Sequence, residues 1–208
     1  ISAPYNDSAG NDSGYVQVYK YIEGSGPFPS MWLQMGGDIK AAAANDMFGC
    51  SLSFNGNGNI VAIGAKYNDN TAGNAGSVDI YQFTNDAWVR MGTTIYGETA
   101  NDYCGHSVSL SSDGHTVAFS APEYSTIVNR AGCVYVYKWD GNSWNNMGST
   151  IYGNYFDEKV GWYVSLSSDG LKLAIGARLF NNKGYVHVYE WLNNEWTRMG
   201  YNLSADLS

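Results

Sequence analysis

The sequence predicts an all-β protein built from repeated four-stranded antiparallel sheets, and three observations carry that prediction. A two-strand unit is spelled three times: Gly49–Ala65 (GCSLSFNGNGNIVAIGA), Gly105–Ala121 (GHSVSLSSDGHTVAFSA) and Gly161–Ala177 (GWYVSLSSDGLKLAIGA). A third-strand unit close to Gly-x-Val-x-Val-Tyr then recurs four times, at Gly14–Tyr19, Gly76–Tyr81, Gly132–Tyr137 and Gly184–Tyr189. Finally Trp-x-x-Met-Gly recurs four times, with spacings of 56, 56 and 52 between its tryptophans. No stretch shows helical periodicity of useful length. A period of about 50 residues holding four short strands points to the blades of a β-propeller.

Each element has its own local reason. In the first strand Val108 and Leu110 alternate with Ser107, Ser109 and Ser111, the pattern of a half-buried strand. Asp113-Gly114 and Asp169-Gly170 are read as hairpin turns, both residues supplying the positive φ of a tight loop. The second strands, Thr116–Ala121 and Lys172–Ala177, end in small residues that admit a close neighbour. The third strand alternates Val134 and Val136 with Tyr135 and Tyr137.

The fourth strand carries Trp32, Trp88, Trp144 and Trp196 with Met35, Met91, Met147 and Met199, followed by Ile39, Ile95, Ile151 and Leu203. These residues are out of phase at period two, so the strand is expected to bulge at the glycine. The tryptophans and methionines are read as core between blades rather than a ligand cage. Ile1-Ser2-Ala3-Pro4 matches Phe119-Ser120-Ala121-Pro122, so the chain enters at the end of a second strand. The repeats are approximately 1–47, 48–103, 104–159 and 160–208, about three and a half blades, within one segment of a larger propeller. Val16, Val18, Val186 and Val188 are expected on bare blade faces at the two ends.

Composition narrows the function. Nineteen acidic and 11 basic residues give a net charge of -8, and the scattered Lys and Arg form no basic stripe, which argues against nucleic acid. No apolar run reaches the ~20 residues of a membrane helix. Cys50, Cys104 and Cys133 allow at most one disulfide; Cys104 with Cys133 is the pair to test, and a buried free thiol is equally open for each. Asn6, Asn11 and Asn202 head glycosylation triplets, are expected to be exposed, and lean mildly towards secretion. The three histidines occupy unrelated repeat positions, and Asp157-Glu158 reads as a solvated loop pair rather than a glycosidase dyad. No catalytic residue is assigned.

Phe48-Gly49, the Asp-Gly turns, Gly64-Ala65-Lys66, Ser120-Ala121-Pro122, Gly176-Ala177-Arg178 and the Gly-x-Val-x-Val-Tyr units together resemble the FG-GAP repeats of integrin-alpha-type β-propellers. Many such propellers carry a calcium loop with alternating carboxylates, whereas Ser111–Gly114 and Ser167–Gly170 hold one carboxylate each. Neither cofactor nor metal is therefore assigned, though Asp7, Asp12 and Asp69 leave weak calcium binding open in the loops Tyr5–Gly14 and Tyr67–Gly76. The resemblance implies a secreted or cell-surface, non-catalytic module for adhesion or assembly. Its partner would be another protein or further blades of the same protein, with a glycan possible. A carbohydrate-binding propeller is the alternative, and an enzyme with a central-channel site a more distant one.

Overall fold

Five antiparallel sheets form successive blades as in a β-propeller, the strands of the first blade being divided between two sheets. The structure is a computed structural model and describes residues 1–178 and 184–204, excepting the side chains of Asn202 and Ser204. Blade 1 holds β1 (Ser2–Ala3), β2 (Tyr15–Val16), β3 (Tyr19–Ile22), β4 (Met31–Gln34) and β5 (Ile39–Lys40). Blade 2 holds β6 (Ser51–Phe54), β7 (Ile60–Ala65), β8 (Ser77–Thr84), β9 (Ala87–Arg90) and β10 (Ile95–Tyr96). Blade 3 follows with β11 (Val108–Leu110), β12 (Thr116–Ala121), β13 (Cys133–Trp139), β14 (Trp144–Asn146) and β15 (Ile151–Tyr152). Blade 4 has β16 (Val160–Leu166), β17 (Lys172–Ala177), β18 (Tyr185–Leu192) and β19 (Glu195–Ser204). In blade 1 the second strand is represented by β1 alone, and the described residues include no first strand.

The fourth strand is bulged at its glycine. In blades 2 and 3 it splits into two pieces that both pair with the third strand. Between the pieces, Met91 N donates to Ile80 O and Met147 N to Val136 O, each at 2.8 Å. Gly92 (φ 74) and Gly148 (φ 82) then take the left-handed turn that helps absorb the two extra residues of the fourth strand. In blade 4 the strand runs on, with the register shift between Val186 and Val188.

The Asp-Gly turns differ from expectation. Only Gly114 (φ 76) and Gly170 (φ 70) have positive φ; the aspartates do not. Asp113 instead accepts from Ser111 Oγ (2.6 Å) and His115 N (2.9 Å), and Asp169 accepts from Ser167 Oγ and Leu171 N. The carboxylate ties the loop to its own backbone while glycine alone bends it.

The core lies in three layers between blades. Val16, Val18 and Ile39 meet Val61 and Ile63 in the first layer. Val78 and Ile80 meet Val117 and Phe119 in the second; Val134 and Val136 meet Leu173 and Ile175 in the third. Third-strand valines therefore always face the following blade. This corrects the reading of the ends: Val16 and Val18 are buried, while Val186 on the last blade is exposed.

Serines fasten the first strands together. Ser53 Oγ accepts from Leu110 N (2.9 Å), Ser109 Oγ from Leu166 N (2.9 Å), and Ser107 Oγ from Val164 N (3.1 Å). The polar face of an alternating strand thus supplies acceptors to the edge N–H groups of its neighbour. Removing one such acceptor should be felt only where a following blade exists. We expect Ser109→Ala to lower stability by about 1 kcal/mol, and Ser165→Ala, the exposed equivalent on the last blade, to stay within about 0.5 kcal/mol. Urea midpoints measure both, and equal losses would refute the assignment.

Candidate functional site

The Trp-x-x-Met-Gly unit builds an interlock across each gap between blades. Trp88 Nε1 donates to Met35 O (2.8 Å), Trp144 Nε1 to Met91 O (3.0 Å), and Trp196 Nε1 to Met147 O (2.8 Å). Each indole is held by the aromatic ring paired with it across the hairpin. Centroids are 5.2 Å apart for Phe83–Trp88, 5.3 Å for Trp139–Trp144 and 5.4 Å for Trp191–Trp196. The pair lies directly over the glycine of the preceding blade: a Cβ at Gly148 would come within 2.6 Å of Trp191. The sequence marked these tryptophans and methionines but not Phe83, Trp139 or Trp191, whose recurrence is aromatic rather than literal. Trp196, Met91 and Met147 are buried, whereas Trp88, Trp144 and Met35 are half-buried.

On the first and last blades the described residues show one half of this interlock each. Trp32 pairs with Tyr21 as its counterparts do, with centroids 5.2 Å apart, yet it is 66% exposed, which corrects its reading as core. Met199 is 42% exposed, and a Cβ at Gly200 would meet nothing within 4 Å. Val186 and Leu203 are exposed beside it. An apolar cleft of about 700 Å³ lies between blades 1 and 2, lined by Val18, Tyr19, Trp32 and Met35 of blade 1 and Phe54 of blade 2.

A second group gathers at the heads of the first strands, where the repeats diverge. Cys50, His106 and Trp162 each follow the glycine that opens a first strand, and Lys66 and Arg178 each follow a Gly-Ala. The rings of His106 and Trp162 are 4.6 Å apart, and the Arg178 guanidinium lies 4.3 Å over the Trp162 ring. Lys159, almost buried, pairs with Glu123 at 2.7 Å; Arg130 also pairs with Glu123 at 2.7 Å and with Asp157 at 3.1 Å. Burial pushes the Glu123 carboxyl up, but the hydrogen bonds from Arg130 and Lys159 outweigh it and hold it below the ordinary value. Burial lowers His106 to about 4, and the nearby charges of Lys66, Arg178 and Lys159 add to the effect against that of Glu123. Comparing equivalent positions across repeats would have exposed this group; searching for shared motifs does not.

The remaining sequence candidates are dispersed. Cys50, Cys104 and Cys133 are free thiols, so the Cys104–Cys133 bridge is not formed; the Cys133 thiol instead meets the Tyr135 hydroxyl. Burial pushes all three thiols up. Asn11 is exposed and Asn6 half-buried, its Oδ1 accepting from Ser8 N at 2.8 Å; the Asn202 side chain lies outside the described residues. The Asp157-Glu158 pair is not the solvated one expected. Asp157 joins Arg130, while buried Glu158 accepts from Asn154 N (2.6 Å), Tyr155 N (2.9 Å) and the Tyr185 hydroxyl. Among the described residues no three His, Cys, Asp or Glu side chains converge as a metal cluster. Asp7 and Asp69 accept instead from the backbone of their own loops, at Asp12 N and Asn74 N.

These features define an arc of antiparallel propeller blades joined by a directional interlock. More particularly, residues 40–81 match the family described as FG-GAP repeat, which places Phe48-Gly49 and Gly64-Ala65 inside a recognised repeat. No curated protein sequence matches the chain. Among solved structures it is similar to TolB from Acinetobacter baumannii, with TM-score 0.44 and 12% identity over 91% of this chain and 44% of that one. It is also similar to the tricorn protease, with TM-score 0.44 and 9% identity over 76% of this chain and 15% of that one. A prolyl endopeptidase gives TM-score 0.41 and 13% identity over 76% of this chain and 21% of that one. The chain thus spans less than half the length of each structure.

The depressed histidine has a consequence for stability. Folded His106 stays neutral down to about pH 4, whereas the unfolded chain takes up this proton near 6.5. Its contribution is therefore fully present above 6.5 and is lost as pH falls towards 4. Asp46, Asp79 and Asp102, pushed up by burial, act in the opposite sense, so the informative quantity is a difference between proteins. We expect His106→Gln to lose less Tm than the wild type between pH 7 and 4.5. Parallel curves would refute the assignment.

Proposed function

We propose that this chain is a non-catalytic, secreted or cell-surface β-propeller module for protein–protein adhesion or structural assembly. The observation that carries the reading is the exposure of large apolar side chains on the blades, Trp32 on blade 1 and Met199, Val186 and Leu203 on blade 4. Contiguous apolar surface of this kind marks interaction sites on soluble proteins. Further support comes from how reactive groups are employed. Cys104 and Cys133 are buried with their thiols raised, His106 is neutral against Trp162, and Glu158 is occupied by amides and a phenol. The exposed Asn11 triplet is consistent with a glycan in a secretory setting.

One observation favours the carbohydrate-binding alternative. A polar groove of about 450 Å³ is lined by Asn101, Tyr103, Glu123, Ser125, Asn129 and Arg130, an aromatic ring among amides and hydroxyls. Glycan binding that disappears in Tyr103→Ala would favour that reading over the first.

Two measurements test the main proposal. In light scattering, Ile1–Ser208 should self-associate as concentration rises, and a monodisperse, stable monomer would overturn the assembly role. Expressed through a eukaryotic secretory route, the protein should lose mass on glycosidase treatment, and Asn11→Gln should remove part of that shift. An unchanged mass would count against a glycosylated, secreted form.

A further inference from the structure

The strand heads of blades 2, 3 and 4 hold cations that the fold leaves uncommitted. Lys66 follows β7, Arg178 follows β17, and the equivalent residue of blade 3 is Pro122, after β12. Contacts join these heads into one surface. The Lys66 ammonium lies 4.9 Å from the Tyr67 ring centroid, and Tyr67 packs edge-on against Tyr103 at 5.3 Å. Around Trp162, the Arg178 guanidinium lies at 4.3 Å, the Lys159 ammonium at 5.6 Å and the His106 ring at 4.6 Å. Tyr103, Glu123 and Arg130 also line the polar groove of about 450 Å³. Two carboxylates, Glu123 and Asp157, stand here, and both are taken by Arg130 and Lys159. Among the described residues Lys66 and Arg178 have neither a carboxylate partner nor a side-chain hydrogen bond. Stacking on Trp162 fixes the guanidinium plane and leaves the N–H groups at its edge to bond outward.

We propose that these strand heads bind an oxyanion, with Arg178 and Lys66 as its charge-assisted donors and Trp162 holding the guanidinium in place. A sulfate, phosphate or carboxylate group is the class that fits. The guanidinium fork matches two of its oxygens, and the ammonium serves as a point charge beside them. The local field agrees. Burial is the larger reason that His106 stays neutral, but Lys66, Arg178 and Lys159 add to it and only Glu123 opposes them. The potential at that ring is therefore positive, in a chain whose net charge is -8. The same group can arrive free or carried on a glycan, whose sugar would lie in the adjoining groove against Tyr103, Ser125 and Asn129. The site is independent of the assembly reading.

The test titrates inorganic sulfate into the complete 208-residue chain at constant ionic strength, with the imidazole signals followed by NMR. Bound sulfate should make His106 take up its proton at higher pH, because an adjacent anion favours the imidazolium. The signal of His115, in the turn before β12, should not respond. Lys66→Gln and Arg178→Gln should each weaken sulfate binding by about 10-fold or more, as loss of a hydrogen bond to a charged group does. Lys138→Gln, at an exposed position of β13, should leave it unchanged. Circular dichroism should remain that of the wild type. Should Arg178→Gln disturb Trp162, Lys66→Gln still decides the matter. A sulfated disaccharide that binds more tightly than sulfate, and loses that gain in Tyr103→Ala, identifies a glycan as the carrier. Equal binding of the two identifies the free anion, and either result upholds the site. Sulfate that leaves the His106 signal unmoved, or that binds both Gln variants as well as the wild type, overturns it.

Discussion

Every blade of this arc has two apolar faces, and the fold depends on holding consecutive faces at a fixed distance and orientation. The Trp–Met–Gly interlock provides both. The bulge at Gly92 or Gly148 lets the methionine carbonyl meet the next blade instead of its own sheet. That carbonyl is then the acceptor for an indole N–H, which at buried Trp196 would otherwise be shielded from water without a partner, a state costing about 1–3 kcal/mol. The absent Cβ permits the aromatic pair to settle onto the backbone. One glycine thus does three things in sequence: it shifts register, directs an acceptor and clears space. The layers of Val, Ile and Leu can pack only once that spacing is set, so the non-directional burial term relies on a directional contact.

The same repetition separates structural positions from those free to vary. Interlock and serine staples recur at equivalent places, so they belong to the scaffold. Cys50, His106 and Trp162 share one place and have nothing chemical in common. Around them lie Lys66, Glu123, Lys159 and Arg178, a cationic cluster in a chain of net charge -8. It is held by ion pairs with little exposure at Lys159, where breaking one partner strands a charge and is therefore costly. The cluster ties the strand heads together through ion pairs and the Arg178–Trp162 contact, and side chains that vary from repeat to repeat on a shared scaffold are the ordinary way in which a fold carries a surface.

Much of the architecture was legible in the sequence because its signals are local and repeated. Alternation identifies the strands, and the mismatch of Trp, Met and Ile with period two identifies the bulge. Which neighbour each face meets was not legible. Alternation distinguishes two faces but assigns neither to a particular blade, so that Val16 and Val18 read as end residues although they lie in the first gap. The interlock was half visible: the Trp and Met recur literally, while the backing ring is Tyr, Phe or Trp and escapes a literal comparison. Glu158 reads as a loop charge because sequence does not reveal that two amides and a phenol converge on it.

The directionality of the interlock constrains any assembly of this arc. Its halves differ, so two copies of the same end have no complementary groups: Trp32 facing Trp32 offers two donors and no acceptor. An isologous pairing through one end is disfavoured on that ground alone. A head-to-tail contact remains, and such a contact either closes or propagates.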